Sequence, residues 1–160
     1  MSTADAVARE TAWLQASGDG LPALLVSAGG PFDVVQAYYP RTPSMEQYSL
    51  YVLRRRNSNV RFGAQRIMPG HNFHLQVWWP LLAVDGIAEG EQQALDNAVE
   101  LVLQRVTGTL GNKTHGGRFL SVAENPRTLD VDYTPPEQTI PLGYLHAEVT
   151  YAADDVEINQ

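Results

Sequence analysis

One run in the middle of the chain limits the folds open to it. Residues 71–80, His71-Asn72-Phe73-His74-Leu75-Gln76-Val77-Trp78-Trp79-Pro80, alternate apolar and polar side chains. In a strand, Phe73, Leu75, Val77 and Trp79 fall on one side, and Asn72, His74, Gln76 and Trp78 on the other. Residues 88–107 then carry Leu95, Ala98, Val99, Val102 and Val106 at helical spacing. Glu89 and Glu91 stand at the end of that helix where its dipole favours anions. Thr114-His115-Gly116-Gly117 hinges into a second strand at 118–124. Strand, helix, strand builds a sheet covered by a helix. Only one face of the first strand is apolar, so an antiparallel or mixed sheet with one buried face is expected. The unit contains no catalytic pattern.

The flanking segments extend this plan. Residues 3–16 read as a helix, capped by Ser2 or Thr3, with Asp5 in the first turn and Ala4, Val7, Ala8, Thr11 and Leu14 as its stripe. Gly18 suits a left-handed cap at its end. Strands are predicted at 33–39 and 48–53. Asn57-Ser58-Asn59 reads as a turn, 60–67 as a short strand or irregular arm, and Pro69-Gly70 as a break. Segment 41–70 is therefore expected to be an extended arm or hairpin. Further strands are expected at 118–123, 128–133 and 144–151, the last with Leu145, Ala147, Val149 and Tyr151 on one face. A Pro-rich loop fills 134–141, and 153–160 reads as a mobile acidic tail. The expected class is α+β. Residues 1–160 form a single domain whose mixed or antiparallel sheet packs against two helices.

Composition narrows the function. The 160 residues suit one domain. No cysteine is present, which removes disulfides, thiolate catalysis and Cys-based metal sites. The acidic start lacks the positive region of a secretory signal, and no apolar run approaches a membrane span. A protein made in the cytosol, with no membrane partner, is expected. Net charge is −7, which disfavours nonspecific phosphate binding over the whole surface. The charge is uneven. Arg54, Arg55, Arg56, Arg61 and Arg66 lie together with no acid between 54 and 66, whereas 124–160 holds eight acids and one arginine. Two solvated surfaces are the plain reading. Complementary ends that steer copies together are the sharper one.

No constellation assigns chemistry. His71 and His74 point to opposite faces of a strand, and His115 adjoins a Gly-Gly turn. His146 shares a face with Tyr144 and Glu148, too little for a metal site. The Gly-rich pieces at 27–30 and 114–117 match neither a phosphate loop nor a dinucleotide fingerprint. Asp130/Asp132 and Asp154/Asp155 read as solvated edge charges. No catalytic, cofactor-binding or metal-ligating residue is therefore assigned, no cofactor is expected, and the protein is not expected to be an enzyme. Trp78 must leave the core face if the alternation holds. It covers a loop or the second sheet face, or it is an exposed anchor for a neighbouring subunit.

The order of elements, with His74-Leu75-Gln76-Val77-Trp78-Trp79, Glu91-Gln92-Gln93-Ala94-Leu95-Asp96 and Gly117-Arg118-Phe119-Leu120-Ser121-Val122 as its local pieces, resembles the tail terminator proteins of long-tailed bacteriophages. The resemblance covers most of 3–152. It implies a structural virion protein that forms a hexameric ring, caps the tail tube, ends its polymerisation and meets the head-closure or connector protein. The implied partners are further copies of itself, the tube protein and the connector. Genomic DNA passes the lumen without specific binding. The implied location is the virion neck, and the host cytoplasm during assembly. Arg54, Arg55, Arg56, Arg61, Arg66 and Trp78 are the expected interface residues. The arginines are expected to meet the acidic part of a neighbouring subunit or the tube. The alternatives are another neck component, such as a head-closure or tube-like protein, and a small-ligand binding module or enzyme using the face around His74, Gln76 and Trp78.

Overall fold

The alternating run becomes the organising strand of the sheet. The computed structural model describes residues 2–17, 21–61, 66–82, 88–107, 114–115, 118–119, 121–123, 129–154 and 158–159. In chain order the main elements are α1 (Thr3–Gln15), β1 (Val34–Ala37), β2 (Ser49–Arg61), β3 (Arg66–Pro80) and α2 (Ala88–Thr107). There follow β4 (Ser121–Val122), β5 (Asp130–Tyr133), the short α3 (Pro136–Thr139), β6 (Tyr144–Asp154) and β7 (Ile158–Asn159).

The strands form one sheet in the order β1-β2-β3-β6, with β4 and β5 both on the far side of β6 and β7 beside β3. β1 and β2 are parallel, and the other described pairings are antiparallel. The class is a single-domain α+β fold with a mixed sheet, as the alternating patterns imply. β3 and β4 both run antiparallel to β6, hence parallel to each other with β6 between them. The predicted strand–helix–strand unit is thus a crossover that leaves room for the last long strand.

The long helices pack on one face; the other is only partly covered, with Asn72, His74, Gln76 and Trp78 half-buried. Phe73, Leu75, Val77 and Trp79 of β3 are buried with Leu50 and Val52 of β2 and Leu145, Ala147, Val149, Tyr151 and Ala153 of β6. Both long helices contribute to the same core: Ala6, Val7, Trp13 and Leu14 from α1, and Leu95, Ala98, Val99, Val102 and Val106 from α2. Each large aliphatic side chain so buried contributes about 1.5–3 kcal/mol. The α2 stripe is the expected one. The α1 stripe is rotated, because Ala4 and Ala8 are exposed while Ala6, Glu10 and Trp13 are buried. Ser2 caps α1 by accepting from the Asp5 N–H. The helix ends at Ala16 in an extended conformation, with its N–H donating to the Trp13 carbonyl. The predicted Gly18 cap lies outside the described residues.

Long-range pairing overrides three local expectations. Asn57-Ser58-Asn59 is not a turn, because it continues β2 opposite His71, Gly70 and Pro69. Of residues 60–67, 60–61 belong to β2 and 66–67 to β3, while 62–65 lie outside the described residues; Pro69-Gly70 lies within β3. The described pairing of β3 with the C-terminal strands stops at Gly70 and resumes at Ile67. Pro69, which has no N–H to donate, falls in that interval. Segment 41–70 therefore contains the hairpin anticipated, and its arm continues past His71 for four residue pairs. The tail is not wholly free of the sheet, since β6 reaches Asp154 and β7 pairs with β3 at Arg66 and Ile67. The strands predicted at 118–123 and 128–133 shorten to β4 and β5. Of the 134–141 loop, 136–139 winds into α3 and Ile140–Leu142 into a single 3-10 turn.

Candidate functional site

The sheet face opposite the helices carries the residues that sequence reasoning singled out. Register places Ser49, Trp78 and His146 in one row across it, and Tyr51, Gln76 and Glu148 in the next. Trp78 is half-buried. Its ring stacks on Tyr144 with centroids 4.2 Å apart, and its Nε1 donates to the Ser44 carbonyl at 3.1 Å. The expected anchor is thus largely engaged by its own chain, through a loop that folds over this end of the sheet. That loop presents the more exposed groups. Tyr39 and Met45 are each 43% exposed. Tyr39 packs edge-on to Tyr51, and Met45 adjoins Gly143, next to Leu142 at 66% exposure. Tyr39, Met45, Trp78, Leu142 and Tyr144 therefore line one aromatic and apolar region. Tyr38-Tyr39-Pro40 was visible in the sequence only as the end of a strand.

The polar part of the same face is internally paired. His74 Nε2 lies 3.0 Å from Glu148 Oε2, and Thr134 Oγ1 lies 2.9 Å from His146 Nδ1. Burial holds the His146 imidazolium below its ordinary range; Glu148 opposes that shift and His74 adds to it. No group of three or more histidine, aspartate or glutamate side chains among the described residues is placed to hold a metal ion. A cleft of about 180 Å³ lies elsewhere, where α2 meets β5 and β6, lined by Leu95, Asp96, Tyr133, Pro136, Leu145 and His146 among others. It does not involve His74, Gln76 or Trp78.

The five arginines are not gathered at one point. Arg54 is exposed, and its guanidinium lies 5.2 Å from the centre of the Tyr38 ring. Arg55, Arg56 and Arg61 continue β2, and Arg66 opens β3; their side chains lie outside those described. The backbone of Arg66 pairs with Asn159 in β7, within the C-terminal segment.

Two buried polar clusters escaped sequence reasoning. In the first, Glu10 and His115 are fully buried and Tyr151 nearly so. His115 Nε2 lies 2.7 Å from the Val106 carbonyl, which can only accept, so that nitrogen carries a proton. His115 Nδ1 lies 2.9 Å from Glu10 Oε2, and Tyr151 donates to Glu10 Oε1 at 2.6 Å. One further proton therefore sits between His115 and Glu10. Burial and then Glu10 push the Tyr151 hydroxyl well above its usual pKa, so it stays a donor. The His115 ring stacks on Trp13 at 3.5 Å, and Arg105 caps the same indole while donating to the Trp13 carbonyl at 2.7 Å. This cluster ties α1, α2, the 114–115 hinge and β6 together, and its burial withholds it from any solute. In the second, Glu91 accepts from Trp79 Nε1 at 2.9 Å and from the Tyr48 hydroxyl at 3.3 Å. It anchors the start of α2 to the end of β3. Its place in the first helical turn was the available signal.

No helix among the described residues is long and apolar enough to cross a membrane. No protein-family model matches the sequence, and no curated protein matches it.

Proposed function

We propose that this chain is a structural virion protein of the tail-terminator type, which forms a ring on the end of a phage tail tube, stops its growth and meets the head connector. The observation that carries the reading is the one-sided sheet. Helices bury one face, while the other bears the aromatic region around Tyr39, Met45, Trp78 and Tyr144. Tyr, Trp and Met are the side chains that subunit interfaces favour. The Glu10–His115–Tyr151 cluster is buried and the Glu91 cluster joins α2 to β3, so both are accounted for by the fold. An acidic protein around a lumen also lets DNA pass, because phosphate attraction requires cations. The resemblance in element order supplies the particular assembly, a hexamer, and the partners, tube and connector.

Tube polymerisation tests this. Cognate tube protein assembled with this chain is expected to give tubes that stop elongating, in proportion to the protein added. Tubes that elongate at the same rate with a large excess of the protein would sink the proposal.

A further inference from the structure

The two edges of the sheet are different in kind. β1 pairs with β2 only from Ser49 to Val52. At Tyr38 the backbone adopts a φ of 68°, a conformation that bulky residues rarely take, and the chain leaves the edge. From Arg54 to Arg61 the side of β2 away from β3 then has no strand neighbour among the described residues. This free stretch holds four arginines and no acid. The opposite edge is β5, which pairs with β6 on one side and has no strand among the described residues on the other. Its sequence is Asp130-Val131-Asp132-Tyr133, with both aspartates exposed. The C-terminal strand does not occupy the arginine edge, since β7 pairs with β3 and not with β2.

Strand direction fits the two edges together. β2 and β6 both run antiparallel to β3, and β5 runs antiparallel to β6. β5 is therefore antiparallel to β2. Rotating a copy about an axis along the strands preserves these directions. The β5 of one copy then meets the β2 of the next as an antiparallel pair, the arrangement in which opposite charges across a ladder attract. Two β2 edges, or two β5 edges, repel.

We propose that copies of this chain join edge to edge, the 54–61 stretch of β2 in one copy pairing with Asp130–Tyr133 in the next, so that the sheet continues around the ring. The contact is head-to-tail, and such contacts close when the rotation per copy divides a full turn. This rests on the ring reading above and specifies its subunit contact. A ladder of four residues is weak alone, so a closed ring depends on all its contacts forming together.

The chain contains no cysteine, so introduced pairs give the only disulfides. Asp132→Cys would be combined in turn with Arg56→Cys, Ser58→Cys and Val60→Cys, which sample the register within the distance a disulfide spans. Oxidation of assembled protein is expected to link one of these double variants into multimers beyond the dimer, while each single variant stops at the dimer. Asp130→Arg with Asp132→Arg is expected to abolish assembly, and adding Arg54→Glu and Arg56→Glu to restore it. Rings that form without cross-linking in any register, and that tolerate the aspartate reversal, overturn the edge contact and leave the ring reading standing. A chain that neither forms rings nor stops tubes overturns both.

Discussion

Replacing His115 with alanine removes the central member of a fully buried cluster. Glu10 keeps only the Tyr151 hydroxyl, the Val106 carbonyl loses its donor, and the Trp13 face loses its stack. Breaking a buried ionic or proton-sharing pair by deleting one partner costs about 3–5 kcal/mol. The lost aromatic stack adds about 0.5–1.5 kcal/mol. The expected loss is therefore about 4 kcal/mol or more, a large part of a typical domain's stability. Glu10→Ala should cost nearly as much. Glu10→Gln is the informative variant. Its amide nitrogen can donate to a neutral His115 Nδ1 while its oxygen still accepts from Tyr151, so most bonds survive without a charge. Its cost should stay near 1 kcal/mol, the scale of one imperfect hydrogen bond. Equilibrium urea unfolding of the three variants measures this, with the slope checked for two-state behaviour. A loss below about 1 kcal/mol for His115→Ala would refute the reasoning. So would a Glu10→Gln variant as unstable as Glu10→Ala.

Other outcomes follow from the same geometry. Burial first, and then Glu91, raise the Tyr48 hydroxyl to about 12 from the usual 10.0. Its contribution to stability is whole below pH 10 and is lost as pH rises toward 12. The Tyr48 share of the phenolate absorbance, taken as the difference from Tyr48→Phe, should titrate late, and Glu91→Gln should bring it only partway back, since burial is the larger cause; a return all the way to 10.0 would contradict that ranking. Trp79→Ala, at a site only 3% exposed, should cost about 3–5 kcal/mol. Trp78→Ala should cost clearly less in the same unfolding assay, and equal costs would mean the two faces are not distinguished as described. Gly30→Ala would place a Cβ 2.3 Å from the Leu24 carbonyl carbon and should shift the unfolding midpoint more than Gly29→Ala, where the space is open but φ is 92°. The reverse order would show that the chain relaxes around Gly30.

What could be read from the sequence was what repeats locally. β3, β6 and α2 appear because burial imposes a period of two or of 3.6 on consecutive residues, and Phe73 to Trp79, Leu145 to Tyr151 and Leu95 to Val106 obey it. The β2–β3 arm was misread where Asn57-Ser58-Asn59 and Pro69-Gly70 carry turn chemistry. They lie opposite one another, and only the pairing across the hairpin makes both extended. The same limit applies to chemistry. Glu10 and His115 are 105 residues apart, and nothing near either of them announces the other. Trp13 is absent from the predicted α1 stripe, and its partners, His115 and Arg105, come from distant segments. Trp78 was legible as a tryptophan off the core face. The loop through Ser44 that covers it was not, since it folds back over 34 residues.

Direct imaging of tube ends tests the central proposal most closely. The purified protein would be mixed with preformed cognate tail tubes and viewed by electron microscopy with averaging of the ends. The account predicts a ring of this chain, sixfold in projection, seated on one end of each tube and absent from the shaft. Bare tube ends at saturating protein, with the chain remaining a monomer in the background, would contradict it.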